Sequence, residues 1–209
     1  MTDQPSTTTA TVQPPYVPQA RETLHEWVQT DSLRKHCEAV AACMGYFARQ
    51  QGADEDLWVA VGLLHDLDFE RHPEMDAGEA GHPYVGVRYL RDQGWSDEIT
   101  RAVLTHADYT GVEPVSDMEK TLRAVDELSG FVTAVALVRP DRSVHTVQVS
   151  SVKKKMKDKA FAAKVSRDDI RNGAELLGRP LEDVIQDVID ALKGASDRLG
   201  LSGIAAPTA

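Results

Sequence analysis

Leu33, His36, Val40, Cys43 or Met44, and Phe47 return at three- and four-residue intervals, the repeat of one face of an α-helix. The spacing predicts a helix starting near Asp31 and Ser32 and stopping at Gly52, because glycine accepts the left-handed turn that ends helices. The same repeat sets Leu57, Val61 and Leu64 along a helix over 54–67. Almost every later segment obeys it, and only SVHTVQVS at 143–150 alternates as a strand would. A chain patterned in this way is all-α, and its short connections favour a compact helical bundle.

Local signals place further helices at 20–29, 96–107, 117–138, 150–163, 166–177 and 180–192. SDE at 96–98, SDME at 116–119 and SRDD at 166–169 supply capping residues. His82 precedes Pro83, a favoured first helical residue, so HPYVGVRYL is expected to begin with His82 as its N-cap. FERHPEMDAGEAG at 69–81 reads as a charged loop broken by Pro73, Gly78 and Gly81. Residues 1–20, rich in Thr, Pro and Gln, and residues 201–209 are expected as flexible tails. Between them, 21–200 is expected as a single domain with a C-terminal helical extension.

A formal charge of −10 disfavours long nucleic acid and anionic membrane as partners, since both attract basic surfaces. Cys37 and Cys43 fall on different turns of one expected helix, too far apart for a disulfide, and read as packing residues in a reducing cytoplasm. FVTAVALV at 131–138 is too short to span a bilayer, and no signal-like segment opens the sequence. The expected setting is cytoplasmic.

Six residues able to ligate a metal fall on buried or helix-end positions: His36, His65, Asp66, His82, His106 and Asp126. His36 shares its face with Leu33, Val40 and Phe47, and His65 shares one with Trp58 and Val61. Asp66 lies one turn after Gly62, whose missing side chain leaves room for a metal or another helix. Asp126 follows Leu122 and precedes Ser129 and Gly130 on an inward stripe. Buried carboxylates are costly unless paired or metal-bound. Imidazole with carboxylate suits Fe, Mn, Co, Ni or Zn, and the lack of a thiolate cluster argues against a structural zinc site. Four imidazoles and two carboxylates exceed what one catalytic ion uses, so two divalent ions bridged by Asp66 are expected.

The order His36, His65-Asp66, Asp126 resembles the H…HD…D signature of the HD superfamily of metal-dependent phosphohydrolases, and His82 and His106 resemble the second-metal histidines of its dinuclear branches. LRKHCEAV, GLLHDLDFE, GHPYVGVRYL, LTHADYTG and AVDELSGFVTAVALVRP are similar to a bacterial group of HD-superfamily hydrolases, over roughly residues 20–193. The resemblance implies an HD-domain helical bundle, His36, His65, Asp66 and Asp126 as shared ligands, and His82 and His106 as the rest of a second site. It also implies hydrolysis by a metal-activated hydroxide attacking phosphorus.

The cyclic-di-GMP-cleaving branch and the oxygenase branch typified by inositol oxygenase commonly follow the doublet with an apolar residue, Gly and Lys. Here Asp68 and Phe69 stand there, and no GYP triplet is present, so neither activity transfers directly. A substitute cation is sought in SVKKKMKDKAF at 151–161: its lysines form a solvated face around buried Val152, Met156 and Ala160, or Lys155 or Lys159 reaches in to hold phosphate. Arg123, one turn before Asp126, is the rival. Asp108, Tyr109 and Thr110 after His106 form a turn or orient substrate. His25, His72 and His145 read as exposed, and Glu127 as a surface or supporting residue. The expected function is phosphohydrolysis of a small phosphorylated metabolite or nucleotide. A di-iron oxygenase and a non-catalytic metal-binding regulatory module are the alternatives.

Overall fold

The structure is a computed structural model that describes residues 11–204. Among these residues there are ten α-helices and no strand: α1 Tyr16–Trp27, α2 Asp31–Gln51, α3 Glu55–Leu64, α4 Tyr84–Asp92, α5 Asp97–Thr105, α6 Asp117–Leu137, α7 Val149–Met156, α8 Arg167–Leu176, α9 Leu181–Gly194 and α10 Ser196–Leu199. The all-α class expected from the apolar period is the one observed.

The serine caps expected at 96, 116 and 166 do their work locally, and Asp54 adds another. Asp54, Ser96 and Ser166 accept backbone N–H groups at the starts of α3, α5 and α8, and Ser116 with Glu119 closes a capping box on α6. The two longest helices, α2 and α6, pack on one another; α2 also meets α3 and α9, and α6 meets α8. Phe47, Met44, Leu63, Leu122 and Phe131 are fully buried in the core between them. Gly62 explains how closely α3 sits on α2, because a Cβ there would lie 2.6 Å from Ala41 Cα. The room beside Asp66 is therefore taken by a helix backbone, which brings His65 and Asp66 up to His36.

Several boundaries differ from the periodic expectation, each for a tertiary reason. α1 starts at Tyr16, inside the expected tail, because the Asp56 carboxylate accepts the Tyr16 and Val17 N–H groups. Residues 1–10 and 205–209 of the two expected tails lie outside the described residues. Leu201 is buried, Ser202 bridges to Ser143, and the Ile204 N–H donates to Asp141, so the chain after residue 200 closes onto the domain.

SVHTVQVS is not a strand. Its buried Val144 and Val147 sit three apart around a 3-10 turn at Val144–Thr146. α7 stops at Met156 instead of continuing to 163, and Ala160 is exposed. There Asp158 accepts the Ala160 and Phe161 N–H groups, and the Arg167 guanidinium collects carbonyls from Asp158, Phe161, Ala162 and Val165. His82 does not cap α4: Pro83 holds that position without a side-chain bond, and the His82 ring is engaged elsewhere. Among the described residues no helix is long and apolar enough to cross a membrane. Cys37 and Cys43 are buried free thiols.

Candidate metal centre

All six expected ligand residues meet in one place. His36 comes from within α2 and Asp126 from within α6, whereas His65 and His106 are the C-caps of α3 and α5. Asp66 and His82 lie in the turns after α3 and before α4, so only two of the six stand inside a helix. His36 Nε2 is 3.2 Å from His65 Nε2 and 3.0 Å from Asp126 Oδ1, and His65 Nε2 is 3.5 Å from the same oxygen. His82 and His106 bring their Nε2 atoms within 3.1 Å of each other. Asp66 stands between the groups. Its Oδ2 lies 3.5 and 3.6 Å from His36 and His65, and its Oδ1 lies 3.4 and 3.5 Å from His82 and His106.

The backbone explains why the Nε2 atoms face inward. A helix leaves its last carbonyls without intrahelical partners. At the ends of α3 and α5 these are met by imidazoles: His65 Nδ1–H donates to Gly62 O at 2.8 Å, and His106 Nδ1–H donates to Val103 O. His82 Nδ1–H donates to Asp68 Oδ1 at 2.7 Å. In each ring the proton belongs on Nδ1, which leaves an Nε2 lone pair aimed at the cluster. Lone pairs then face lone pairs and carboxylate oxygens, an arrangement relieved by a bound cation, whether a proton or a metal ion. Neighbouring ligand atoms bound at about 2.0–2.2 Å around a tetrahedral or octahedral ion stand about 2.8–3.6 Å apart, and the observed separations fall there. Two groups satisfy the chemistry of a metal site, His36 with His65 and Asp126, and Asp66 with His82 and His106.

Burial alone would lower His65, but the carboxylates of Asp66 and Asp126 lift it to about 9. Burial opposes ionisation of both aspartates too, yet His65 and His36 hold them below the usual carboxylate range. His65 and His82 are inaccessible, while 25% of the His36 side chain is exposed, so the cluster opens to solvent on the α2 side.

Asp68 was expected only as a departure from a lysine-bearing pattern; in the structure it is the buried carboxylate that orients His82. It is 1% exposed and also accepts the Gly86 N–H at 2.6 Å. Gly86 leaves it space, since a Cβ there would stand 3.0 Å from Asp68 Cγ. The usable signal was an acid two residues beyond the doublet in an apolar run, which needs a buried donor to be stable. Phe69 packs against His82, ring centroids 5.2 Å apart.

The expected phosphate-holding cations fare differently. Arg123 pairs with Asp108 and reaches Thr105 O at 3.5 Å, beside His106. Lys155 lies over the Phe161 ring at 4.5 Å and 3.8 Å from Asp158, and Lys159 is exposed in the turns beyond α7; neither pairs with a carboxylate of the cluster. Lys155 stands inside α7, and Lys159 beyond its early end.

Asp108–Thr110 forms a 3-10 turn, whose Tyr109 hydroxyl donates to His82 O at 3.1 Å. Burial, with Asp66 and Asp68 nearby, pushes Tyr109 up to about 12. Glu127 accepts the Ser166 N–H, and burial and Asp126 push it up to about 7. His25 and His145 are exposed as expected, and His72 is half-buried outside both groups.

Residues 33–130 match the family model described as HD domain. Among curated proteins, the chain is similar to Ribonuclease Y of Rhodopirellula baltica, 34% identical over 79 residues, which is 38% of this chain and 15% of that one. It is likewise similar to Ribonuclease Y of Oleidesulfovibrio alaskensis, 30% identical over 101 residues, 48% of this chain and 18% of the relative. The chain thus spans less than a fifth of the length of these relatives. No solved structure matches it significantly.

Proposed function

This chain carries an HD domain at residues 33–130, and from that premise we propose that it is a metal-dependent phosphohydrolase acting on a small phosphorylated metabolite or nucleotide. The supporting observation is the Asp66 carboxylate, one oxygen turned to His36 and His65 and the other to His82 and His106. In this reading His36, His65 and Asp126 would hold one divalent ion and His82 and His106 a second, with Asp66 shared between the two groups. Bound there, Fe, Mn, Co, Ni or Zn supplies a water of lowered pKa and charge to neutralise phosphoryl oxygens.

The protein's own part is positional. The Gly62 and Val103 carbonyls and the Asp68 carboxylate keep protons on Nδ1 of His65, His106 and His82, so that their Nε2 atoms stay available. Tyr109 stays a neutral phenol and braces the carbonyl of His82. Arg123, fastened beside His106, is the cation best set to meet a phosphate once it leaves Asp108. Lys155, over the Phe161 ring and near Asp158, and Lys159, exposed beyond α7, are its rivals. A cytoplasmic, reducing setting belongs to the same reading and suits the two free thiols.

The relatives named as ribonucleases favour a second reading, cleavage of RNA, against which the net charge of −10 weighs. The test is phosphate release from a panel of phosphorylated metabolites and nucleotides beside cleavage of a labelled oligoribonucleotide, in anaerobic buffer with Mn or Co. Phosphate release lost in Asp66→Ala together with both metals supports the proposal. Activity confined to the oligoribonucleotide favours the second reading. Substrate-dependent oxygen uptake by the iron-loaded protein in a parallel assay in air-equilibrated buffer would move the site to the oxygenases, and an inert, metal-loaded protein to the regulatory modules.

A further inference from the structure

The net charge of −10 that weighs against nucleic acid is not spread evenly: residues 153–167 hold seven of the chain's 23 lysines and arginines and one carboxylate, Asp158. Such a run on a helix is usually no more than a solvated face. Here α7 ends at Met156, and the lysines continue over an irregular connection to α8. Arg167 holds that connection in shape. Its guanidinium donates to the carbonyls of Ala162 and Val165, 2.6 Å each, and to those of Asp158 and Phe161. Ala162 keeps φ at 42°, a strained value for a residue with a Cβ that persists only where surrounding contacts impose it. With four carbonyls drawn onto Arg167, fewer acceptors remain outside to compete for the ammonium groups.

Lys153 pairs with Glu182, Lys155 lies 3.8 Å from Asp158, and Asp168 just beyond is taken by Arg171. Lys154, Lys157, Lys159 and Lys164 are exposed and face no carboxylate at ion-pair distance among the described residues. Like charges gathered in one patch repel, and a bound polyanion removes that cost. The patch also has a fixed place beside the metal cluster. The Ser166 N–H donates at 3.2 Å to Glu127, the neighbour of Asp126, and the Phe161 ring meets Phe131 of α6 edge-on at 5.4 Å.

The surroundings of the ammonium groups select the partner. None of the large exposed apolar side chains falls within 153–167, since Phe161 and Val165 pack against the core. A segment lying on an anionic membrane needs such anchors, and a protein interface needs an apolar centre, where lysine is depleted. A nucleic-acid strand needs neither, because the phosphates along it are met by point charges on flexible stems. We infer that the connection between α7 and α8 is a docking surface for the phosphate backbone of a nucleic-acid strand, bound without reading of its base sequence. The surface goes beyond the reading of the metal cluster and stands whether the cluster acts on small phosphates or on the strand itself.

The experiment is fluorescence anisotropy of labelled oligouridylate and oligoadenylate with the Mn-loaded, full-length protein over a salt series, with strand integrity checked on gels. For single strands, log affinity falls against log salt with a slope of about −0.7 per phosphate neutralised. Four unpaired lysines therefore give a slope of about −3, and a fourfold rise in salt should weaken both strands about 50-fold. Replacing three of them together, Lys154→Gln, Lys157→Gln and Lys164→Gln, should reduce the slope to about −0.7 and the same loss to about 3-fold. Arg91→Gln, at an exposed arginine of α4, should leave the slope as it is. No binding at low salt, a slope unchanged in the triple variant, or tighter binding of polyglutamate or of anionic phospholipid vesicles than of either strand overturns the inference.

Discussion

Replacing Asp68 with Asn changes one atom pair in the support of the metal cluster and isolates its role. The Asp68 carboxylate accepts from His82 Nδ1 at 2.7 Å and from the Gly86 N–H at 2.6 Å, at a position 1% exposed. A carboxylate accepts both, whereas a carboxamide has one accepting oxygen and an NH2 that donates. With the amide oxygen on Gly86, the NH2 donates to His82 Nδ1, the ring proton moves to Nε2, and the lone pair facing Asp66 and His106 is lost.

The reverse orientation sets NH2 against the Gly86 N–H. Losing a buried hydrogen bond to a charged group costs about 1.5–3 kcal/mol. Loss of a partner to a metal-bound imidazole costs about 10- to 100-fold in affinity, or about 1.4–2.7 kcal/mol, so the two estimates agree. The assay is calorimetric titration of metal-free protein with Mn or Zn. In Asp68→Asn one of two binding steps should weaken by about 10- to 100-fold while the other, through His36, His65 and Asp126, is kept. Two unchanged steps would refute the tautomer argument; loss of both with the helical spectrum intact would refute the separation of the two sites.

Metal loading at pH 7 should expel a proton from His65, which its carboxylate neighbours hold at about 9 in the metal-free protein. Calorimetry in two buffers of different ionisation enthalpy reads this release; apparent affinity should climb as pH rises toward that value, and no release at pH 7 would contradict it. Gly62→Ala puts a Cβ 2.6 Å from the Ala41 Cα, where backbone must move, so urea unfolding should show a loss of about 1–3 kcal/mol or more. Burial resists ionisation of Glu119, but the Ser116 and Val115 N–H groups and Arg101 hold its carboxyl below the usual range. Its contribution is therefore present above the ordinary carboxylate value and is lost as pH falls through the lowered folded value. Glu119→Gln should cost about 1–3 kcal/mol at neutral pH, and the gap to the wild type should close in acid; a gap independent of pH would contradict it.

The sequence by itself determined the helices and the identity of the cluster. A 3.6-residue apolar period and Ser or Asp caps are local signals, and imidazoles and carboxylates on buried faces call for pairing or a cation because burying them alone is costly. Tertiary structure decided what depends on atoms distant in the chain. Asp56, forty residues away, starts α1, and Arg167 gathers the carbonyls of the turns that follow the early end of α7. Tertiary structure also made Asp68 the orienting partner of His82, because the pairing spans the loop from 69 to 81 and requires Gly86 to stand aside. Local periodicity reports which face of a helix is buried, but which residues meet across that face is set by packing.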